Sequence, residues 1–61
     1  MDSQRVKQII ESPVLINVTY HGIPVYIEEL DEGNQLASVF PLENMDAHQE
    51  VDIDGLVEEG P

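Results

Sequence analysis

Residues 14–30, VLINVTYHGIPVYIEEL, constrain this chain more than any other stretch. Two runs that alternate apolar and polar residues are separated by His21-Gly22. A two-residue connection containing Gly is the usual signal for a tight β-hairpin. Such a loop sets the register: Tyr20 faces Ile23, Val18 faces Val25 and Ile16 faces Ile27. These residues fall on one side of the hairpin, and Leu15, Asn17, Thr19, Pro24, Tyr26 and Glu28 on the other. A slip of one residue would turn the apolar row outward, so pattern and turn together specify the pairing. Pro24 has no N–H to donate. In this register Thr19 and Pro24 are not a hydrogen-bonded pair, so the gap points away from the first strand. The second strand must then be free or bulged on its outer side at that point.

The rest of the chain has to complete this hairpin. At 61 residues it is a single small domain, and a domain of that size buries only about 60% of its unfolded surface. Small folds commonly add disulfides, a metal or a partner subunit. There is no Cys, which excludes disulfides and thiolate metal sites and fits a reducing compartment. Ahead of the hairpin, Asp2 or Ser3 can cap a helix within residues 1–12. Val6, Ile9 and Ile10 form a narrow apolar stripe on it, and Ser12-Pro13 ends it. Such a helix is too short to stand alone and must dock on the sheet. Lys7 and Glu11 are spaced for a weak surface pair.

After the hairpin, Asp31-Glu32-Gly33-Asn34 is a polar turn. Residues 35–42 read as a third strand stopped by Pro41, and residues 43–48 as irregular. Residues 49–53 alternate as a fourth strand, with Val51 and Ile53 inward. Asp54-Gly55 turns the chain, Leu56 and Val57 add an apolar contact in a single helical turn, and residues 58–61 form a frayed tail. The expected fold is α+β: a short N-terminal helix, then a small, strongly twisted antiparallel sheet of four to five strands over residues 14–57, curling into an SH3-like open barrel. A sheet with the helix laid across one face is the alternative.

Charge narrows the partners. Thirteen acids stand against two bases, a net charge of −11. Arg5 and Lys7 are the bases, and residues 8–61 contain none. Duplex DNA carries one negative charge per ~1.7 Å and is held by basic side chains. Nucleic acid and anionic membranes are therefore expected to repel this chain. No apolar run approaches the ~20 residues of a membrane span, and MDSQRVKQII lacks the layout of a signal peptide. A soluble, intracellular protein is expected, which makes the Asn17-Val18-Thr19 sequon a chance match. The acidity serves solubility, or offers a surface to a basic partner or a cation.

Catalytic chemistry finds little to work with. Nucleophilic catalysis needs a Ser, Cys or Thr beside a positioned base. The two imidazoles are His21, in the expected turn, where it can take positive φ, and His48, in a polar loop. Glu28/Glu29 are adjacent on a strand and face opposite ways, so they are no acid–base dyad. Asp31-Glu32-Gly33-Asn34 and Asp52-x-Asp54 offer oxygen ligands, but neither matches the twelve-residue calcium loop. No Gly-rich phosphate loop is present. No catalytic, cofactor or metal residue is assigned. Of the three aromatics, Tyr20 and Phe40 are expected in the core. Tyr26, on the face opposite the apolar row, is the candidate for an interaction surface with Asn17 and Glu28.

The ordered set of short motifs resembles the H-type small, acid-soluble spore proteins. The set comprises Gln4-Arg5-x-Lys7 with Ser12-Pro13, Asn17-Val18-Thr19-Tyr20-x-Gly22-x-Pro24-Val25-x-Ile27, the Asp31-Glu32 turn, Ala37, and Val51-x-Ile53-x-x-Leu56. The resemblance spans nearly the whole chain. It departs from the family pattern at Val6 and Asp52, where Ala and Pro are usual, and in having no base in the body of the chain. It implies a non-enzymatic minor protein of the developing forespore and spore core, involved in sporulation, and brings no catalytic residues. The reading from another class is an acidic protein-binding module that occupies a basic or nucleic-acid-binding partner. With so high a like charge, a monomer is expected in dilute buffer, with weak salt-assisted homodimers where crowding favours them.

Overall fold

The hairpin forms in the expected register. In the computed structural model, which describes residues 1–60, Val18 lies opposite Val25, Thr19 opposite Pro24 and Tyr20 opposite Ile23. Its strands are β1 (Asn17–Tyr20) and β2 (Ile23–Asp31). His21 and Gly22 both take positive φ, 51° and 84°, as a two-residue hairpin turn matched to strand twist requires. The first strand is shorter than expected. Residues 14–16 stay outside it, so Ile16 and Ile27 are not a ladder pair, and Ile27 is paired only on its other side, with Val39. Val18, Val25 and Ile27 are buried as expected, while Ile16 and Tyr20 are half-buried. Ile23 is 54% exposed, because pairing to the next strand stops at Val25 and leaves the hairpin tip uncovered.

That next strand is β3 (Leu36–Pro41), followed by β4 (Gln49–Asp52), a 3₁₀ turn (Ile53–Gly55) and β5 (Leu56–Gly60). All neighbours are antiparallel, in the order β4-β3-β2-β1-β5. Pro24 sits where the β3 ladder ends, and only its carbonyl is used, accepting from Leu42 N at 3.1 Å. Its missing N–H therefore leaves no gap in the sheet.

One irregularity shapes β2. Ile27 pairs with Val39 but Glu29 with Ser38, so Glu28 is an extra residue, a β-bulge. A bulge bends and twists the strand and re-aims a side chain. Beyond it Leu30 lies opposite buried Ala37, and packs against the core.

The core gathers Val6, Val18, Val25, Ile27, Ala37, Val39, Val51, Ile53 and Leu56. Val6 comes from α1 (Ser3–Glu11), which Asp2 caps by accepting from Arg5 N at 3.0 Å. Ser12, extended ahead of Pro13, ends α1. Arg5 grips Glu58 through two hydrogen bonds, Nε to Oε1 at 2.8 Å and Nη2 to Oε2 at 2.6 Å. Lys7 lies 3.9 Å from Glu32 across the surface, rather than pairing along the helix with Glu11.

The expected tail is a correction. Residues 58–60 continue β5, with Val57 opposite Thr19, Glu58 opposite Val18 and Gly60 opposite Asn17. The open edge of β1 supplies backbone partners for this segment, and Arg5 holds the Glu58 side chain. The helical turn lies at Ile53–Gly55, ahead of Leu56, which is buried. Pro61 lies outside the described residues. The class is α+β as expected. The sheet does not close into a barrel: β4 and β5 are its two edges, joined by the 3₁₀ turn.

Candidate functional site

The side of the sheet opposite the buried valines carries an aromatic and apolar face. Alternation places Ala37 and Val39 inward, so Ser38 and Phe40 project outward. Phe40 lies directly opposite Tyr26 of β2, and their rings are 5.3 Å apart, tilted by 32°. The edge of the face is completed by His48, just before β4, whose ring meets Phe40 nearly edge-on at 5.4 Å. His48 Nδ1 lies 2.7 Å from Glu28 Oε2, and Ser38 Oγ donates to the same oxygen at 3.4 Å. The bulge puts Glu28 within reach of both partners.

Two successive turns follow β3, closed by Asn44 N to the Pro41 carbonyl at 3.0 Å and Ala47 N to the Asn44 carbonyl at 3.1 Å. They bring Leu42 and Met45 to the same face. With Leu15, Tyr26 and Phe40 these residues line an open apolar groove of about 450 Å³. Leu15 is 63% exposed, Met45 65%, Leu42 46% and Tyr26 45%. Leu15 and Tyr26 also border a recess of about 230 Å³ between the end of α1 and the hairpin.

Of the three residues singled out for an interaction surface, Tyr26 and Glu28 are therefore joined through Phe40 and His48. Asn17 is exposed at the start of β1, one step beyond the Val18–Val25 pair and so on the Tyr26 side. Phe40, expected in the core, is half-buried on this outer face. His48, expected in a polar loop, is exposed and is also held by Glu28. The signal for Phe40 was its two-residue spacing from Ser38, and alternation set Leu15 on the Tyr26 side; Leu15, Leu42 and Met45 lie outside the regular elements, and Met45 carries no periodic signal.

A second polar cluster sits at the hairpin tip. Tyr20 Oη donates to Asp52 Oδ1 at 2.6 Å, and the Tyr20 and His21 rings stack at 4.1 Å, 11° from parallel. The hydrogen bond to Tyr20 holds the Asp52 carboxyl below the usual carboxylate range, helped by backbone N–H groups and His21. The same bond, with burial and the Asp52 charge adding to it, pushes the Tyr20 phenol up. Both groups thus move away from neutral pH and are poorly placed to exchange protons there.

Among the described residues, no group of three or more His, Cys, Asp or Glu side chains is placed to hold a metal ion. Asp31 is engaged within its own turn, accepting from Asn34 N at 3.3 Å and Nδ2 at 2.9 Å. No helix among the described residues is long and apolar enough to cross a membrane.

The model of the Small acid-soluble spore protein H family matches residues 1–58. The chain belongs to this family. It is 45% identical to the small, acid-soluble spore protein H of Bacillus licheniformis over 95% of this chain and 98% of that one. It is 39% identical to the Bacillus subtilis protein of that name, over 97% of this chain and 100% of the relative. A relative in Alkaliphilus metalliredigens is 45% identical, over 95% and 98%. No solved structure matches the chain. Membership makes this a spore protein.

Proposed function

We propose that this H-family protein is a non-enzymatic, minor component of the developing forespore and the spore core, where it acts in sporulation through its surface rather than through chemistry. The observation that carries the reading is the family match across residues 1–58. The side chains support the second half of it. His48 is engaged by Glu28, His21 is stacked on Tyr20, and neither is hydrogen-bonded to a hydroxyl nucleophile of the kind acyl transfer needs. A fluorescent fusion followed through growth and sporulation tests the proposal. Signal confined to the forespore and kept in the spore interior is expected; synthesis in vegetative cells would overturn it.

A second reading is favoured by the placement of charge. Both bases lie on α1 and both face carboxylates, Arg5 at Glu58 and Lys7 at Glu32. The rest of the surface presents acid without base, which suits an acidic module that occupies a basic protein partner. Expression before sporulation, together with recovery of one basic protein in pull-downs, would favour this reading over the first.

A further inference from the structure

We propose that the groove formed by Leu15, Tyr26, Phe40, Leu42 and Met45 is a docking site for a basic protein segment that presents apolar anchor side chains; this rests on the acidic-module reading and gives it a place on the molecule. Apolar side chains gathered in one open groove and rimmed by polar groups are a common mark of an interaction site. Here the floor is apolar and the rim is acidic. Glu28 borders it through His48 and Phe40. Glu43 and Asp46 flank Leu42 and Met45 along the chain, and both are exposed. Arg5 and Lys7 face carboxylates elsewhere on the surface, so no lysine or arginine lines the groove to oppose this rim.

Charge chooses between occupants. A second copy would bring its own −11 to the same face, and two such bodies repel within the screening length of about 8 Å at physiological salt. An anionic lipid surface or a nucleic acid is disfavoured for the same reason. A segment with Lys or Arg around two or more apolar side chains satisfies both rim and floor. The exposed thioether of Met45 is a flexible contact able to fit anchors of differing shape. The neighbouring recess beside Leu15 and Tyr26 leaves room for a second anchor.

The test uses the intact chain and three labelled synthetic peptides. One carries lysines and two leucine or phenylalanine anchors, one carries the lysines with alanines as anchors, and one carries the anchors with glutamates. Fluorescence anisotropy gives affinity, and amide chemical shifts give the site. The anchored basic peptide is expected to bind tightest, with shifts centred on Leu15, Tyr26, Phe40, Leu42 and Met45. The Leu15→Ser/Met45→Ser variant, altered at exposed positions and checked for an unchanged melt, should lose about tenfold or more in affinity. Ile23→Ser, at the hairpin tip, should lose none. If both basic peptides bind equally and the double variant is silent, the groove is overturned while the acidic-module reading survives. If no basic peptide binds at millimolar concentration, both fall. If the free protein already buries these residues in a stable dimer, the groove proposal is overturned as well.

Discussion

One methyl group placed on Gly55 tests how the hairpin tip is held to the rest of the sheet. The 3₁₀ turn brings Gly55 against the stacked rings of Tyr20 and His21. A Cβ at this position would stand 2.5 Å from Tyr20 Cε1, and 3.1 Å from both Tyr20 Cδ1 and His21 Nε2. Carbon atoms in contact prefer about 3.5–4.0 Å, so the tyrosine ring must retreat by roughly 1 Å. It is not free to swing: its hydroxyl is bound to Asp52 and His21 covers one side. Forcing a methyl into a filled contact costs about 1–3 kcal/mol. Replacing Gly by Ala returns about 0.4–1 kcal/mol by restricting the unfolded chain. The net loss expected for Gly55→Ala is therefore about 1.3 kcal/mol, which lowers Tm by about 5–10 °C in a domain of this size. Circular dichroism melts measure it. In a Tyr20→Val background the ring is gone, and the same substitution should be neutral or slightly stabilising. An equal loss in both backgrounds, or no loss in either, would refute the contact as the reason for glycine here.

The hairpin register predicts that Val18→Asp or Ile27→Asp unfolds the domain, since an unpaired buried charge costs several kcal/mol, comparable to total stability. Thr19→Asp, on the outer face, should melt near the parent temperature, and equal losses at all three positions would defeat the register. Stability should fall at both ends of the pH scale. Glu58, held low by its hydrogen bond to Arg5, and Asp52, held low by Tyr20, contribute above the ordinary carboxylate range, and that contribution is lost as pH falls through their lowered values. Tyr20, raised by Asp52, contributes below the ordinary phenol range and loses that share as pH rises through its own value; Asp52→Asn should remove the alkaline part, and an unchanged alkaline limb in denaturant titrations would contradict the pairing. Duplex DNA should migrate unretarded with micromolar protein at low salt, where attraction would be strongest. Sedimentation in dilute low-salt buffer should give a monomer, and a dimer persisting at nanomolar concentration would reveal apolar burial that the charge argument overlooks.

The hairpin was readable because turn chemistry and alternation agree residue by residue from Val18 to Val25. The bulge left a fainter trace. Ile27 and Leu30 are three apart with two glutamates between, a spacing that no regular strand buries on one side, and an extra residue at Glu28 resolves it. The last strand could not be read, since Leu56-Val57-Glu58-Glu59-Gly60 does not alternate. Its partners are backbone groups on β1 and the side chain of Arg5, fifty-three positions away. The groove was half legible. Tyr26 could be placed by parity, whereas Phe40 was expected in the core. Leu15 was set on that side by alternation although it lies outside β1, Leu42 and Met45 are positioned by the turns after β3, and His48 is held by the Glu28 carboxylate at the bulge.

The placement of both bases on α1 has a consequence for proteolysis. A protease that cuts after lysine or arginine finds its targets only at Arg5 and Lys7, inside a hydrogen-bonded helix whose Val6 is sealed in the core. Cleavage must therefore wait for α1 to lift from the sheet, and residues 8–61 then leave as one uncut fragment. The rate of trypsin digestion thus serves as a clock for undocking of the helix alone. A conventional tryptic digest would likewise yield one long acidic peptide where most proteins give several short ones, so a search for this protein in spore extracts is better served by a protease that cuts at acidic residues.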